Sequence, residues 1–312
     1  MSLPRVVVDG PLAPNILRLL EGQVEIHLWP ALDAGLEHVQ GLYTYGHPRV
    51  DAELIARLPE LRVISNFGVG VDHIDLAAAT RRGIPVGNTP DILNGATADM
   101  AMALLLAAGR RLVEGDRYAR GPTFVHYDPG YMLGREIHHS TLGIVGLGRI
   151  GTEVARRAVG FDMTILYHNR HRRPEIEAVL PVRYASLAEL LAEADYIVLT
   201  VPLTPETRGL IGRAEFAQMK PTATLINVAR GPVVDTEALT EALLRRRIYA
   251  AAVDVTDPEP LPRDHPLLRL ENFTVTPHLG SATEQTRQRM AELSVANLMA
   301  GLRGEPLPCR VA

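Results

Sequence analysis

Short apolar runs alternate with stretches of helical apolar spacing along almost the whole chain. Val6–Val8, Val24–Trp29, Leu42–Tyr45, Val63–Asn66 and Ile84–Gly87 have the length and β-branched character of strands. Between them, Pro14–Leu20, Ala52–Leu58 and Asp75–Arg82 space their apolar residues as helices do. Strands separated by helices predict a parallel sheet covered on both faces. The alternation resumes after residue 140, with strands expected at Leu142–Val145, Met163–Tyr167, Tyr196–Thr200, Thr224–Val228, Ala250–Val255 and Phe273–Thr276. Helices near Thr152–Val159, Leu187–Glu193, Arg213–Met219 and Thr236–Arg247 separate these strands, and a last helix over Thr283–Leu302 can pack on either α/β unit.

Two segments break the pattern. Asn94–Arg111, NGATADMAMALLLAAGRR, is a helix apolar on nearly every face after its first turn, which demands burial inside a core or between subunits. Gly121–Gly134, with three Gly and two Pro around Tyr127 and Tyr131, reads as a loop.

The stretch TLGIVGLGRIG, Thr141–Gly151, organises the second unit. Gly146, Gly148 and Gly151 stand in G-x-G-x-x-G spacing between a strand and a helix. The first glycine permits a tight turn, the second lets backbone approach a pyrophosphate, and the third allows close helix–strand packing. The helix N-terminus adds N–H groups and partial positive charge for phosphate. The strands that follow suffice for a complete dinucleotide-binding Rossmann domain.

Length and composition narrow the class. The 312 residues allow two domains, and 46% hydrophobic with 22% charged residues is a globular composition. A formal net charge of −4 gives no reason to expect a nucleic-acid partner. The run Arg245–Arg247 reads as a solvated helix end. The single cysteine, Cys309, excludes an internal disulfide, and the N-terminus shows no signal-peptide pattern. Met100–Gly109 is too short to span a bilayer, so a cytoplasmic protein is expected. No metal site is expected, because the eleven histidines do not cluster with cysteines or carboxylates at ligand spacing; His138-His139 has no evident partner.

In open parallel sheets the ligand lies beyond the carboxyl ends of the strands. That rule selects Phe67–Gly70, Gly146–Gly151, Ala229–Gly231, Asp254 and Pro277-His278 as five segments facing one cleft. Their neighbourhoods carry a resemblance. NVARGPVVDTEAL (Asn227–Leu239), DVTDPEPLPRDHPLL (Asp254–Leu268), TPHLGSAT (Thr276–Thr283), SNFGVGVDHID (Ser65–Asp75) and GIVGLGRIG follow one another in the order of the D-isomer-specific 2-hydroxyacid dehydrogenases. Over essentially its whole length the chain resembles that family, and within it glyoxylate/hydroxypyruvate and 2-ketoacid reductases most.

The resemblance implies two Rossmann-like, doubly wound parallel-sheet domains. A discontinuous flavodoxin-like substrate domain is expected over residues 1–94 and 281–312, and an NAD(P)-binding domain over 95–280. It also implies a homodimer that buries the Met100–Gly109 helix and its flanking loop.

Reducing a 2-keto acid requires a cation for carboxylate and carbonyl, a proton donor for the new alkoxide, and a hydride source. Arg230 can supply the first through a planar, permanently charged fork. His278 can supply the second, with Glu259 favouring the imidazolium. The family assigns these roles to the matching residues. By the same resemblance the N–H groups of Val69 and Gly70 hold the substrate carboxylate, and Asp254 hydrogen-bonds the nicotinamide carboxamide. Thr97 lies near the cofactor. Further cofactor contacts are implied for Arg149, Ile150, Val201, Pro202 and Thr207, and for Val228, Ala229, His278 and Gly280. Taken singly, each of these residues also has a structural explanation as a surface ion pair, a loop residue or a glycine turn.

The second strand of the Rossmann unit decides the expected cofactor. NAD enzymes place a carboxylate about twenty residues past the fingerprint, on the ribose hydroxyls. Here the strand ends in Tyr167-His168-Asn169-Arg170 and continues His171-Arg172-Arg173, without a carboxylate. Asn169 removes the charge that would repel a 2′-phosphate and Arg170 can pair with one, so NADP(H) is expected over NAD(H), unless the arginines are only a solvated loop.

A formate or phosphite dehydrogenase is the nearest enzyme alternative, but formate oxidation gives no substrate proton to a base, and such enzymes resemble this family with Gln at the position of Glu259. A dinucleotide-sensing corepressor is the alternative of another class; the lack of long terminal extensions argues against it. Tyr43–Gly46, Phe67 and Tyr127–Leu133 are expected to select the substrate side chain. Glyoxylate and hydroxypyruvate are the default substrates, with 2-ketogluconate and phenylpyruvate as alternatives.

Overall fold

A computed structural model describes residues 3–29 and 36–312. The chain divides into two compact units, Met1–Leu93 with Thr283–Ala312, and Asn94–Ala282.

The first unit contains β1 (Arg5–Val8), α1 (Pro14–Leu20), β2 (Glu25–Leu28), β3 (Val39–Thr44), α2 (Ala52–Ala56), β4 (Val63–Asn66), α3 (Leu76–Arg81) and β5 (Val86–Gly87). Its strands are all parallel in the order β2-β1-β3-β4-β5, the flavodoxin-like winding. Val7, Leu42 and Ile64 point to one face, where Ile55, Leu58 and Ala79 cover them. The Asp51 and Asp75 side chains cap α2 and α3 by accepting N–H bonds from Leu54 and Ala78.

The second unit runs through α4 (Asn94–Gly109), α5 (Leu112–Arg120), β6 (Thr141–Val145), α6 (Arg149–Val159), β7 (Thr164–His168), α7 (Pro174–Glu177) and β8 (Val182–Tyr184). It continues with α8 (Leu187–Glu193), β9 (Tyr196–Leu199), α9 (Arg213–Gln218), β10 (Thr224–Asn227), α10 (Thr236–Leu244), β11 (Ala250–Val253) and β12 (Phe273–Val275). Seven parallel strands lie in the order β12-β11-β10-β9-β6-β7-β8. Alternate residues feed separate cores. Val145, Ile197, Leu199 and Leu225 lie in one with Leu190, Phe216 and Leu239. Ile144, Val198 and Ile226 lie in the other with Leu105 and Val154. This period of two with both faces covered is why the strands read as continuous apolar runs.

The last helix, α11 (Glu284–Arg303), packs on β3 and β4 of the first unit. A Cβ on Gly301 would overlap the Val63 side chain, so helix and sheet approach closely there. Beyond α11 the tail returns beside β5: Val311 N–H donates to Val86 O at 2.7 Å and Val86 N–H to Ala312 O at 3.0 Å.

Several local expectations need correction. α5, α7 and β8 are additional elements. The pair α7 and β8 is short, and β8 is an edge strand of three residues, too brief to show a period. α5 starts only two residues beyond α4, across Arg111 at φ +54°, and its charged sequence carries no apolar stripe of useful length. Within the single chain the burial of α4 is incomplete, which leaves burial between subunits as the expected alternative. Thr97, Ala98, Ala101, Met102, Leu104, Leu105, Ala108 and Gly109 are buried, whereas Asp99 and Ala103 are exposed and Met100 and Ala107 half-buried. Among the described residues no helix is long and apolar enough to cross a membrane.

Candidate functional site

The order of strands in the second unit lays out its carboxyl edge. From one end come His278 after β12, Asp254 and Glu259 after β11, Arg230 after β10, Val201-Pro202 after β9, the glycine loop after β6, and Asn169-Arg170 after β7. Adjacent strands are about 4.8 Å apart, so β12 to β7 spans about 24 Å in five steps. The chain leaves β6 to β7 on one side and reaches β9 on the other. The glycine loop therefore sits at the topological switch point.

The three glycines differ in what excludes a side chain. Gly146 has φ +105°, and a Cβ there would approach Val201 N at 2.9 Å. A Cβ on Gly151 would overlap Gly146 O. At Gly148 a Cβ would meet nothing within 4 Å, so its exposed face is open to a ligand and not filled by the protein. The Thr200 hydroxyl donates to Gly146 O at 2.6 Å and ties the loop to the end of β9. No side chain caps α6, whose N-cap is Gly148, so its first-turn N–H groups face outward from the loop. These features fit a dinucleotide pyrophosphate.

Asn169 is joined to the same loop: its Oδ1 accepts the Leu147 N–H at 2.6 Å. Of the basic residues that follow, Arg172 holds Glu177 through two guanidinium nitrogens, at 2.8 and 2.6 Å. Arg173 pairs with Glu175 and donates to Leu147 O at 2.9 Å. Arg170 is exposed and takes part in neither pair. Together Arg172 and the Tyr167 hydroxyl hold the Glu177 carboxyl down at about 2.

Arg230 stands on a turn built by its neighbours. Asn227 Oδ1 accepts the Ala229 N–H at 3.0 Å and its Nδ2 donates to Arg230 O at 2.9 Å. The chain passes so close to the next loop that a Cβ on Gly231 would overlap Thr256 O. Glu259, in that next loop, accepts from His278 Nδ1 at 2.7 Å. The two side chains remain 40% and 33% exposed, so the pair faces an open edge. Burial pushes the Glu259 carboxyl upward. The His278 hydrogen bond and charge, the Thr256 N–H and the Arg230 charge outweigh it, and the carboxyl is held below its ordinary value.

Asp254 is the anchor of the His278 loop. It is only 2% exposed. Its carboxylate accepts from Thr276 Oγ1 at 2.6 Å, Leu279 N–H at 2.7 Å and Gly280 N–H at 2.6 Å. His278 itself adopts φ +55°, a conformation disfavoured for a residue with a Cβ, and its N–H donates to Asp254 O at 2.9 Å. A Cβ on Gly280 would touch both Asp254 Oδ2 and Thr97, at 3.1 and 3.3 Å, which places these three residues together. Thr207 closes its own loop, donating to Pro202 O at 2.6 Å. Arg149 is exposed and Ile150 half-buried at the start of α6, while Val228 and Ala229 are buried beneath Arg230. A cavity of about 240 Å³, lined by Arg111, Glu114, Arg246 and Tyr249 among others, lies at the amino ends of β11 and β12 and so on the opposite edge.

In the first unit, Phe67–Gly70 follows β4. The Gly68, Val69 and Gly70 carbonyls all accept bonds from the chain. Tyr45 and Phe67 rings lie 5.0 Å apart, and the Arg287 guanidinium lies 5.5 Å from the Phe67 ring centre. Asp9 accepts the Tyr45 and Gly46 N–H groups, both at 2.6 Å. Tyr43 does not belong with the side chains expected to select a substrate. It is fully buried, its hydroxyl bonds Ser294 Oγ at 2.8 Å, and burial drives its phenol pKa upward. Asn88, Thr200 and Arg287 lie outside the quoted motifs, and Asn66 and Asn227 lie inside them with no role of their own; ordinary Asn, Thr and Arg side chains show what they hold only when the fold pairs them.

Residues 102–280 match the family model described as D-isomer specific 2-hydroxyacid dehydrogenase, NAD binding domain. The chain is 46% identical to a glyoxylate reductase of Korarchaeum cryptofilum, over 98% of this chain and 95% of that protein. A solved structure of a Thermus thermophilus protein is 46% identical with a TM-score of 0.89, over 99% of this chain and 100% of that one. An NADPH-dependent glyoxylate/hydroxypyruvate reductase of Sinorhizobium meliloti, solved with NADP and malonate, is 32% identical with a TM-score of 0.90, over 100% and 97% of the two chains.

Proposed function

The chain belongs to the D-isomer-specific 2-hydroxyacid dehydrogenases and is an oxidoreductase, and from that premise we propose that it reduces glyoxylate and hydroxypyruvate to the 2-hydroxy acids with NADPH. The observation that carries the reading is the His278–Glu259 contact of 2.7 Å, with Arg230 on the adjacent strand of the same edge. The names of the Korarchaeum and Sinorhizobium relatives support the substrate, and the cofactor of the latter supports NADP(H).

Bound nicotinamide supplies the hydride. Arg230 holds the substrate carboxylate and carbonyl oxygen and stabilises the charge that develops on that oxygen. Glu259, ionised, fixes the proton on His278 Nδ1, which leaves Nε2–H to donate to the nascent alkoxide. After transfer His278 is neutral and still bound to Glu259 through Nδ1. Val69 and Gly70 N–H groups take the carboxylate, and Gly146, Gly148 and α6 take the pyrophosphate. The reading for NADP(H) rests on Asn169 and Arg170: the end of β7 carries no carboxylate to oppose a 2′-phosphate, and Glu175 and Glu177 are held by Arg173 and Arg172 and not by Arg170.

A cytoplasmic homodimer belongs to the same proposal. Leu112, Val113, Phe124, Val125, Tyr127, Tyr131 and Leu133 are exposed within one stretch, which is the composition of an interface and not of a free surface.

The test is an initial-rate panel of glyoxylate, hydroxypyruvate, 2-ketogluconate and phenylpyruvate, each with NADPH and NADH, on the wild type and His278→Ala. Turnover of the smaller acids with NADPH, lost in the variant, is expected. Tight NADPH binding without turnover of any acid would overturn the reductase reading in favour of a sensing role.

A further inference from the structure

We infer that Asn66 and Asn88 are positioning residues that aim the Val69 and Gly70 N–H groups at the substrate carboxylate. The inference rests on the carboxylate-binding role proposed above for those two groups. In a trans peptide the carbonyl of one residue and the N–H of the next share a plane and point in opposite directions. Holding Gly68 O therefore sets the direction of Val69 N–H, and holding Val69 O sets that of Gly70 N–H.

Both carbonyls are held. Gly68 O accepts from Asn66 Nδ2 at 3.0 Å and from Thr89 N–H at 2.9 Å. Val69 O accepts from Asn88 Nδ2 at 2.9 Å. The second proton of Asn66 Nδ2 goes to Gly70 O at 3.0 Å. Neither Val69 N–H nor Gly70 N–H has a hydrogen-bond acceptor among the described residues. The loop thus turns its acceptors inward and leaves its donors to an anion, the arrangement of a backbone nest.

The clamps are themselves fixed. Asn66 is 1% exposed, and its Oδ1 accepts from Thr44 Oγ1 at 2.8 Å, which orients the amide so that its nitrogen faces the loop. Asn88 is pinned from α11: Asn297 Nδ2 donates to Asn88 O at 2.9 Å, while Asn297 Oδ1 accepts the Cys309 N–H at 2.9 Å. The last helix and the tail therefore determine where the Asn88 side chain reaches Val69.

The test compares Asn88→Ala and Asn66→Asp with the wild-type enzyme at saturating NADPH. Asn88→Ala should raise the glyoxylate KM about tenfold, with kcat within about twofold and the NADPH Kd unchanged. Asn66→Asp puts an acceptor against two carbonyls and should raise KM further. If that variant fails to fold, Asn88→Ala carries the test, because it leaves the Asn66–Thr44 bond in place. A purely structural role would lower Tm and active fraction but leave KM alone. Separately, amide hydrogen exchange at Val69 and Gly70 is measured in the wild-type NADPH complex with and without oxalate as the carboxylate probe. Protection by oxalate with an unchanged KM in Asn88→Ala overturns the positioning role and keeps the carboxylate site. Absence of protection overturns the site, and the clamp with it.

Discussion

Replacing Asp254 by Asn separates an anchoring role from cofactor contact. The buried carboxylate takes three donors, Thr276 Oγ1 and the N–H groups of Leu279 and Gly280, at 2.6, 2.7 and 2.6 Å. An amide has one acceptor oxygen. With nitrogen at Oδ2 it confronts the Gly280 N–H, and with nitrogen at Oδ1 it confronts the Leu279 N–H. Either orientation loses at least one charge-assisted bond, about 1.5–3 kcal/mol, and leaves a buried donor without an acceptor. These bonds hold a loop in which His278 sits at φ +55°, a conformation that costs roughly 1–2 kcal/mol. The margin is small, so the loop should relax and His278 should leave Glu259. The expected outcome is a fall in kcat/KM for glyoxylate of about ten- to hundredfold, set by the lost bond. The corresponding loss of Tm is roughly 3–12 °C, at about 2–4 °C per kcal/mol for a domain of this size. Stopped-flow or initial-rate assays read the first, and NADPH titration and thermal melts provide the rest. A variant whose NADPH Kd rises while its kcat and Tm stay at wild-type values would refute anchoring and return Asp254 to a cofactor contact alone.

Three further outcomes are expected. Arg170→Ala should lower kcat/KM for NADPH by about tenfold or more with little change for NADH, and Asn169→Asp should raise the relative use of NADH, since Asp keeps the acceptor for Leu147 N–H; equal effects on both cofactors would count against the 2′-phosphate reading. Gly151→Ala places a Cβ over Gly146 O and 3.0 Å from Thr200 Oγ1, so it should destabilise by about 1–3 kcal/mol and weaken NADPH binding, as melting and titration would show. Because the Glu259 carboxyl is held below its ordinary value of 4.5, its pairing stabilises the fold above that pH and the stabilisation disappears as pH falls through the lowered value. The Tm difference between wild type and Glu259→Gln should therefore be largest near neutrality and shrink below pH 4.5, and a difference that grows with acidity would contradict the sign.

The parallel α/β architecture was legible because strands covered on both faces must be apolar throughout. The runs Leu142–Val145, Tyr196–Leu199 and Ala250–Val253 leave no solvent-facing side chain to disguise the pattern. Elements without that excess of apolar residues escaped notice: β8 has three residues at an edge, and α5 carries four charged residues in nine. The site was half legible in the same way. Glycines report their own constraint, because Gly146 and Gly151 admit no Cβ, and Arg230, Glu259 and His278 carry the chemistry a ketoacid reduction needs. The supporting residues carry no such mark.

The sequence by itself determined the alternation of elements, the glycine turn and which residues have the chemistry proposed for binding and protonating a keto acid, since these depend on local periodicity and side-chain chemistry. Tertiary structure alone decided which strands stand side by side, and hence that His278, Glu259 and Arg230 leave three adjacent strand ends, β12, β11 and β10. It also decided that Asp254 anchors the His278 loop, that Tyr43 belongs to the core, and that α11 reaches the Val69 loop through Asn297 and Asn88. Asn88 and Asn297 are 209 residues apart in the chain, and hydrogen bonds over such a separation follow from packing and leave no period for a sequence to display.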